Sequence, residues 1–353
     1  MNDTDRAVVR TIVRRAFPVL VRSSFTFGSH TLVFDDGAIR GGVVVKMFRL
    51  PSGRRAGLVA WIFVDPDAQG RGIGGDLLDA ALELFEANGC EEVFANISGD
   101  NTDSSRRFAA RGFDELSAGA LFATYGLGAL SVIVHAKHVF DVGYCLWRRP
   151  PQRRQSRPKL QLFGTLILHL PIAALVVARS ANLEYFDPII VYRLAGVIAL
   201  FVLVRTLVTW SAARVAGMRL RYRMWESGFV LAAVAAAAFG VIMPIPGSLY
   251  PRERDWSFRA VRHVLAPVSI AGLISSAALG AAATLIMELG APVGAIPWLV
   301  WARRVAVSFL VVDGVLPVFP FEAYAANRIR RWSTPAWVVT AACSLSAALF
   351  IAV

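Results

Sequence analysis

Residues 57–89 run GLVAWIFVDPDAQGRGIGGDLLDAALELFEANG. GLVAWIFVDP (57–66) reads as a strand, QGRGIGG (69–75) as a glycine-rich turn, and DLLDAALELFEANG as a helix ended by the C-cap pair Asn88-Gly89. Strand, glycine turn and helix in this order build an anion site. The glycines admit a ligand close to the backbone, and free N–H groups at the helix start point at it with the helix dipole behind them. A tight strand-to-helix turn with no ligand has the same glycines. No Gly-Lys-Ser/Thr closes the turn, so it is not a nucleoside-triphosphate loop. The next strand ends in Ile97-Ser98 where a dinucleotide site needs an acid.

The flanking sequence supplies a sheet for this unit. An amphipathic helix is expected near 4–17. HTLVFDD (30–36), IRGGVVVKMFRL (39–50) and residues 57–66 are strand-like, and the separators DDG and PSGRR are turn signals. These three runs predict an antiparallel meander. EEVFANIS (91–98) is a further strand. A short helix follows from about Thr102 to Arg111, closed by Gly112-Phe113. The expected fold is α/β, a mixed sheet with flanking helices.

Two motifs in this region resemble those of the GNAT N-acetyltransferase superfamily. Val64-Asp65-Pro66 followed by Gln69-x-x-Gly72-x-Gly74 is similar to its Q/R-x-x-G-x-G/A motif. Asn101-x-x-Ser104-x-x-x-Phe108-x-x-x-Gly112-Phe113 is similar to its N-x-x-A-x-x-x-Y-x-x-x-G-F signature. The resemblance covers about residues 25–116 and implies acetyl-CoA as cofactor. It implies that Gln69, Gly70, Arg71, Gly72, Ile73 and Gly74 cradle the pyrophosphate. It further implies that Trp61, Ile62, Phe63 and Val64 pair their backbone with the pantetheine arm, and that Asn101 contacts the cofactor from the start of the second helix, with Ser104 and Phe108 in the same signature. Asn101 reads equally as a helix N-cap, and Arg71 equally as a solvated loop residue.

Phe108 stands where the family often has the Tyr that protonates the leaving thiolate. No carboxylate lies within Leu58–Val64 to serve as a base, and Asp65 and Asp67 read as turn formers. Acyl transfer to an amine also runs by direct attack when both partners are positioned.

The remaining sequence is different in kind. Of 353 residues 56% are hydrophobic, and the net charge is +12, with a mean hydropathy of +0.54. Residues 1–118 hold 14 Lys and Arg against 16 Asp and Glu; residues 119–353 hold 23 against 9. The basic excess therefore travels with the apolar runs, as in a membrane protein with basic cytoplasmic loops, and nucleic acid is not its reason. Disorder is excluded by the apolar content, and Cys90, Cys145 and Cys343 make no disulfide framework. The N-terminus MNDTDRAVVRTIVRRAF is charged and lacks a signal-peptide core, so domain 1–118 is expected in the cytoplasm.

Residues 119–159 are expected to form an interfacial segment and a basic linker: glycine-broken GALFATYGLGALSVIVHAKHVF, then RRPPQRRQSRPK (148–159) as a topology-fixing flank or a contact for anionic lipid. Residues 160–353 are expected to be an all-α polytopic membrane domain. Apolar runs at about 160–179, 188–212, 228–246, 264–289, 297–317 and 335–353 are each long enough to cross about 30 Å of hydrocarbon. Arg214, Arg219, Arg221 and Arg223 place loop 213–227 inside. If 228–246 crossed, the loop with Arg252, Arg254, Arg259 and Arg262 would be outside, against the positive-inside rule. If 228–246 enters and returns, every later loop obeys it, and Gly240, Pro244, Pro246 and Gly247 suit a broken, protein-buried segment.

This half resembles the site-2 intramembrane metalloproteases. The similar features are a span ending in Ala216-Gly217, MRLRYRMW, a stretch ending in Pro246-Gly247, the helix AGLISSAALGAAA, and Leu316-Pro317-Val318-Phe319-Pro320-Phe321-Glu322-Ala323 against N-x-x-P-x-x-P-L-D-G. The zinc motif H-E-x-x-H is missing from the chain. The ligand positions fall on Arg205, Thr209 and Glu322, with Thr206 at the base, so the resemblance implies a pseudoprotease without metal. Arg205 and Asp313 are expected to pair in its place, Arg193 and Glu288 to snorkel, and His135 with His138 to form no metal set.

The sequence therefore points to a multi-pass cell-membrane protein with a cytoplasmic acetyl-CoA-dependent N-acetyltransferase domain. Its acceptor would be an amine on a small molecule or protein, and a membrane protein partner is compatible with the helical half. The alternative is a non-catalytic acetyl-CoA sensor acting through that half. A cysteine replacing Arg254 is expected to react with an impermeant maleimide from the cytoplasmic side; labelling from outside alone would contradict the re-entrant reading.

Overall fold

The DDG and PSGRR turns fold the chain back on itself twice. The computed structural model describes residues 3–17, 19, 22, 25, 30–139, 141–151, 157–180, 186–253 and 256–353. Helix α1 (Asp3–Ala16) lays Val9, Ile12 and Val13 against Val44 and Phe63. Strands β1 (His30–Asp35), β2 (Ile39–Arg49) and β3 (Arg55–Val64) form the expected antiparallel meander. Helix α2 (Ile73–Ala87) crosses over to β4 (Glu92–Ser98), which pairs with β3 in parallel. Its apolar residues Ile73, Leu77, Leu78, Ala81, Leu82 and Phe85 recur at three- and four-residue spacing, and that stripe is buried on the sheet with Val45, Val59, Val93 and Trp147. Each such side chain contributes about 1.5–3 kcal/mol when fully buried. Helix α3 (Thr102–Ala110) and strand β5 (Asp114–Leu116) follow.

The structure carries this unit past residue 118. Helices α4 (Ala118–Tyr125) and α5 (Ala129–His135) bury Ala120, Leu121, Ala129 and Val132 with Leu58, Phe94 and Leu146. Strand β6 (Tyr144–Arg149) enters the sheet between β4 and β5, giving the order β1-β2-β3-β4-β6-β5. Contacts group Met1–Ile97, Asp103–His138 and Cys145–Gln155 as one unit. This compact unit includes residues beyond 118, among them the partners of a buried acid. Glu92 is 1% exposed. It accepts from Arg148 Nε at 2.7 Å and from the Tyr125 hydroxyl, and pairs with Arg54 Nη2 at 2.8 Å. Arg148, read as part of a basic linker, is a strand residue neutralising that acid. Arg153, Arg154, most of loop 180–187 and Arg254 lie outside the described residues.

The second unit comprises Ser98–Thr102, Val139–Tyr144 and Ser156–Val353. In chain order its elements are α6 (Pro158–Ser180), α7 (Pro188–Val215), β7 (Leu220–Arg223), α8 (Gly228–Phe239), β8 (Ser248–Pro251), α9 (Phe258–Glu288), α10 (Ile296–Gly314), α11 (Ala325–Trp332) and α12 (Thr334–Ala352). By length and composition five helical segments could cross a membrane: 118–135 in the first unit, and α6, α7, α9 and α12 here. The first of these is broken at Gly126, where φ is 54°, and lies one face down on its own sheet. Helix α10 has a span's length but carries Arg303, Arg304 and Asp313. Glu288 is exposed at the end of α9.

Helix α8 has 12 residues, about 18 Å at 1.5 Å per residue, against the ~30 Å of a bilayer core. Strands β7 and β8 pair antiparallel from Leu220↔Pro251 to Arg223↔Ser248. The chain therefore returns at Ser248 to where it left at Arg223. Between α8 and β8 the backbone is irregular and buried over Ile242–Gly247. Side chains supply the partners a helix would have given. Ile245 N–H donates to His169 Nε2 at 3.2 Å, Tyr324 donates to the Pro244 carbonyl at 2.7 Å, and Tyr222 to that of Pro246 at 2.7 Å.

Arg205 and Asp313 do pair, Nε to Oδ2 at 2.8 Å, with side chains 7% and 0% exposed. The other Asp313 oxygen accepts the N–H of Ala325 at 2.8 Å, capping α11. Removing one member leaves a buried charge, so Asp313→Ala is expected to cost about 3–5 kcal/mol. Arg205→Met with Asp313→Leu is expected to cost less, measured as thermal unfolding in detergent.

Candidate functional site

The site begins where two parallel strands part. The ladder between β3 and β4 runs from Ala56↔Glu92 to Val59↔Ala95 and ends, although β3 continues to Val64 and β4 to Ser98. The cause lies on the other edge of β3. There Val44 faces Trp61 and Val45 faces Val59, so Ala60 is an extra, bulged residue. A bulge bends and twists its strand. From Ala60 onward β3 keeps β2 on one edge and has no β4 partner on the other. Ile62 and Val64 are half-buried there, and Phe63, 3% exposed, packs edge-on to Phe25 at 5.5 Å. An open edge of this kind accepts an extended, amide-bearing chain.

The open edge runs into the glycine turn. Asp65 Oδ1 accepts the Asp67 N–H at 3.1 Å, starting a short 3-10 turn at Pro66–Ala68. Arg15 of α1 holds both acids, at 3.0 Å to Asp65 and 2.7 Å to Asp67. They are structural, as turn formers, and neither is a free base. Gln69, Gly70 and Arg71 are exposed. Gly72 sits just before α2 with φ of 87°, a conformation in which a Cβ is strained. It turns the helix start outward. The first amides bonded back are those of Gly75 and Asp76, both to the Gly72 carbonyl at 2.7 and 3.3 Å. Among the described residues no backbone carbonyl accepts the N–H groups of Gly72, Ile73 and Gly74, the arrangement that binds anions at a helix N-terminus.

Helix α3 adds charge that the sequence reading missed. A side chain at Gly74 would meet Arg107 Nη1 at 3.3 Å, and one at Gly75 would meet Arg111 Nη2 at 3.0 Å. Arg111 is neutralised by Asp79 (Nη2 to Oδ2, 2.6 Å), which holds the Asp79 carboxyl below its usual range. Arg106 pairs with Asp103 at 3.0 Å. Among the described residues no acid pairs with Arg107, which lies exposed beside the first turn of α2. Its spacing from Phe108 gave no hint, because the partner surface is 33 residues away. Asn101 is exposed directly before α3, and Ser104 is half-buried one turn on. Phe108 is 5% exposed and packs edge-on to Phe113 at 5.0 Å; it is core and has no proton to give.

Thr209 donates to the carbonyls of Arg205 and Thr206, while Glu322 accepts from Tyr144 at 3.4 Å. His135 stacks on Phe48 at 4.7 Å. Among the described residues no three His, Cys, Asp or Glu side chains gather in one place.

Residues 12–113 match the model of the acetyltransferase (GNAT) family. The N-terminal region has the GNAT fold. A mycothiol acetyltransferase of Beutenbergia cavernae is 33% identical over 96 residues, 27% of this chain; the chain spans about a third (31%) of that relative's length. Among solved structures, the NatC complex bound to Gag peptide and CoA is 18% identical, with a TM-score of 0.29, over 33% of this chain and 80% of that one. The ribosomal-protein-S18-alanine N-acetyltransferase of Escherichia coli is 22% identical, with a TM-score of 0.28, over 33% and 76%.

Because nothing lies within 4 Å of a Cβ at Gly72, Gly72→Ala tests backbone strain alone. It is expected to destabilise by about 1–2 kcal/mol, read as a lower melting temperature of the full chain.

Proposed function

We propose that this chain is an acetyl-CoA-dependent N-acetyltransferase held at the cell membrane by its helical region, with the GNAT region in the cytoplasm. The observation that carries the reading is the open edge of β3, Ala60–Val64, leading straight into the free amides of Gly72–Gly74. Acetyl-CoA is an amide-bearing arm joined to a diphosphate, and these two features suit it end for end. The β3 backbone, with Ile62, Phe63 and Val64, would pair with the arm. Gln69–Gly74 would hold the diphosphate, with Arg107 beside it. Asn101 and Ser104 would contact the cofactor from the start of α3.

In the reaction a neutral amine attacks the thioester carbonyl. The new N–C bond forms, the C–S bond breaks, the amine loses a proton and the thiolate of CoA gains one. The chain's own contribution is to align the carbonyl with the amine. Phe108 offers no acid and β3 offers no base, so the protons pass through water or through a group elsewhere on the chain. The acceptor is an amine on a small molecule or a protein. The helical region is read as a scaffold resembling the site-2 proteases without their chemistry, since Arg205 occupies a ligand position and is committed to Asp313. The bilayer is its partner, and its small-residue helices suit a membrane protein as well.

Phe108 favours one other reading, a sensor that binds acetyl-CoA without turnover. The full chain in detergent is expected to bind acetyl-CoA and to release CoA with at least one member of an amine panel. Binding with no release on any amine supports the sensor, and no binding overturns both. Gly72→Glu, which sets a carboxylate where phosphate would lie, is expected to abolish binding.

A further inference from the structure

One face of the N-terminal sheet carries two separate apolar clusters. In one, Val44, Trp61 and Phe63 pack with α1. In the other, Phe48, Leu58 and Phe94 pack with α4 and α5. Ala60, the bulged residue of β3, packs against both. Side chains two apart on a strand share a face. Lys46 lies between Val44 and Phe48 on β2 and faces Leu58 across the ladder. Asn96 lies two residues beyond Phe94 on β4, just past the last pair of the parallel ladder. Lys46, Ala60 and Asn96 thus mark a seam between the two clusters, where β3 and β4 part.

The polar groups at this seam have capacity to spare. Asn96 Nδ2 donates to the Ala136 carbonyl at 2.9 Å, while its buried Oδ1 has no hydrogen-bond partner among the described residues. An acceptor left unpaired away from water is costly. Ala136 follows α5, whose last residue, His135, stacks on Phe48 at 4.7 Å. This end of α5 therefore lies over both β2 and β4. The next residue, Lys137, is exposed and has a φ of 54°, uncommon for a residue other than glycine. Lys46 is half-buried, and burial together with the Lys137 charge pushes its ammonium below the usual range. Among the described residues no acid pairs with either lysine.

Two ammonium groups held near each other want a counter-charge, and the Asn96 oxygen wants a donor. A small amine that also carries a carboxylate supplies both. We propose that this seam is the acceptor pocket and that the acceptor is an amino acid or a similar amine carboxylate: an amine N–H goes to Asn96 Oδ1 and the carboxylate to Lys46 and Lys137. The inference rests on the acetyltransferase reading. In that reading the diphosphate lies at Gly72–Gly74, beyond Val64, so the thioester end of the arm runs back towards Ala60 and the seam. A cationic amine such as a polyamine is repelled by the same two lysines.

The test is the initial rate of CoA release by the full chain in detergent, supplied with acetyl-CoA. The amines are the common amino acids and β-alanine, each beside its carboxamide, with putrescine as the cationic amine. One hydrogen bond to a charged group corresponds to about a 10-fold change or more. At least one amino acid is expected to exceed its carboxamide in kcat/KM by about that factor, with putrescine below both. Lys46→Gln and Lys137→Gln are each expected to cut this carboxylate preference about 10-fold, and Lys46→Arg to keep most of it. Lys137 is exposed, so its variant carries the test if Lys46→Gln does not fold. Asn96→Ala is expected to raise KM for the amino acid and its carboxamide alike, because both bring the amine. Carboxamides or putrescine used as well as the amino acids, or a preference unchanged in both lysine variants, would overturn the proposal and leave the acetyltransferase reading standing. Acetyl-CoA bound without release on any amine would overturn it in favour of the sensor. A wild type that does not bind acetyl-CoA would overturn both readings.

Discussion

The parallel ladder between β3 and β4 stops at Val59, and the chemistry available to the N-terminal region follows from that stop. Backbone N–H and C=O groups need partners wherever water is excluded. The bulge at Ala60 turns β3 away from β4, so the residues to Val64 carry a row of such groups with no strand beside them. A ligand able to act as a strand completes the sheet. The same strand feeds the Gly72 turn, so a ligand paired with it would have its far end at the first amides of α2. A neutral arm with an anionic end would suit that arrangement.

The helical region meets the same demand by an internal solution. Its chain enters at β7, makes one short helix, and returns without regular structure through buried surroundings to β8. Non-helical backbone in such a place is tolerated only when protein satisfies it, and here His169, Tyr222 and Tyr324 do so one group at a time. The buried Arg205–Asp313 pair works alongside them, joining α7 to α10 and capping α11 with its second oxygen.

Local grammar made much of this legible in the sequence. The meander, the Gly72 turn and α2 follow from glycines, turn residues and apolar runs that act over a few positions. The arginines flanking 228–246 read as lying on one membrane side, and β7 and β8, which flank that stretch, pair with each other. What the sequence hid depends on distant pairs. Strand β6 was lost in a basic run, since the acid that needs Arg148 is Glu92, 56 residues earlier. Arg107 looked like one arginine among several until Asp103 and Asp79 were seen to claim its neighbours. Asp100 and Arg328 of the second unit, paired Nε to Oδ2 at 2.8 Å, lie 228 residues apart, and nothing in either neighbourhood names the other.

We propose that one continuous stretch, from the open edge of β3 to the start of α2, receives acetyl-CoA. Amide hydrogen exchange of the full chain in detergent, with and without saturating acetyl-CoA, tests this. Slowed exchange is expected in Ala60–Val64 and in Gly72–Gly74 together. Protection absent from both segments, or confined to the helical region, would contradict it.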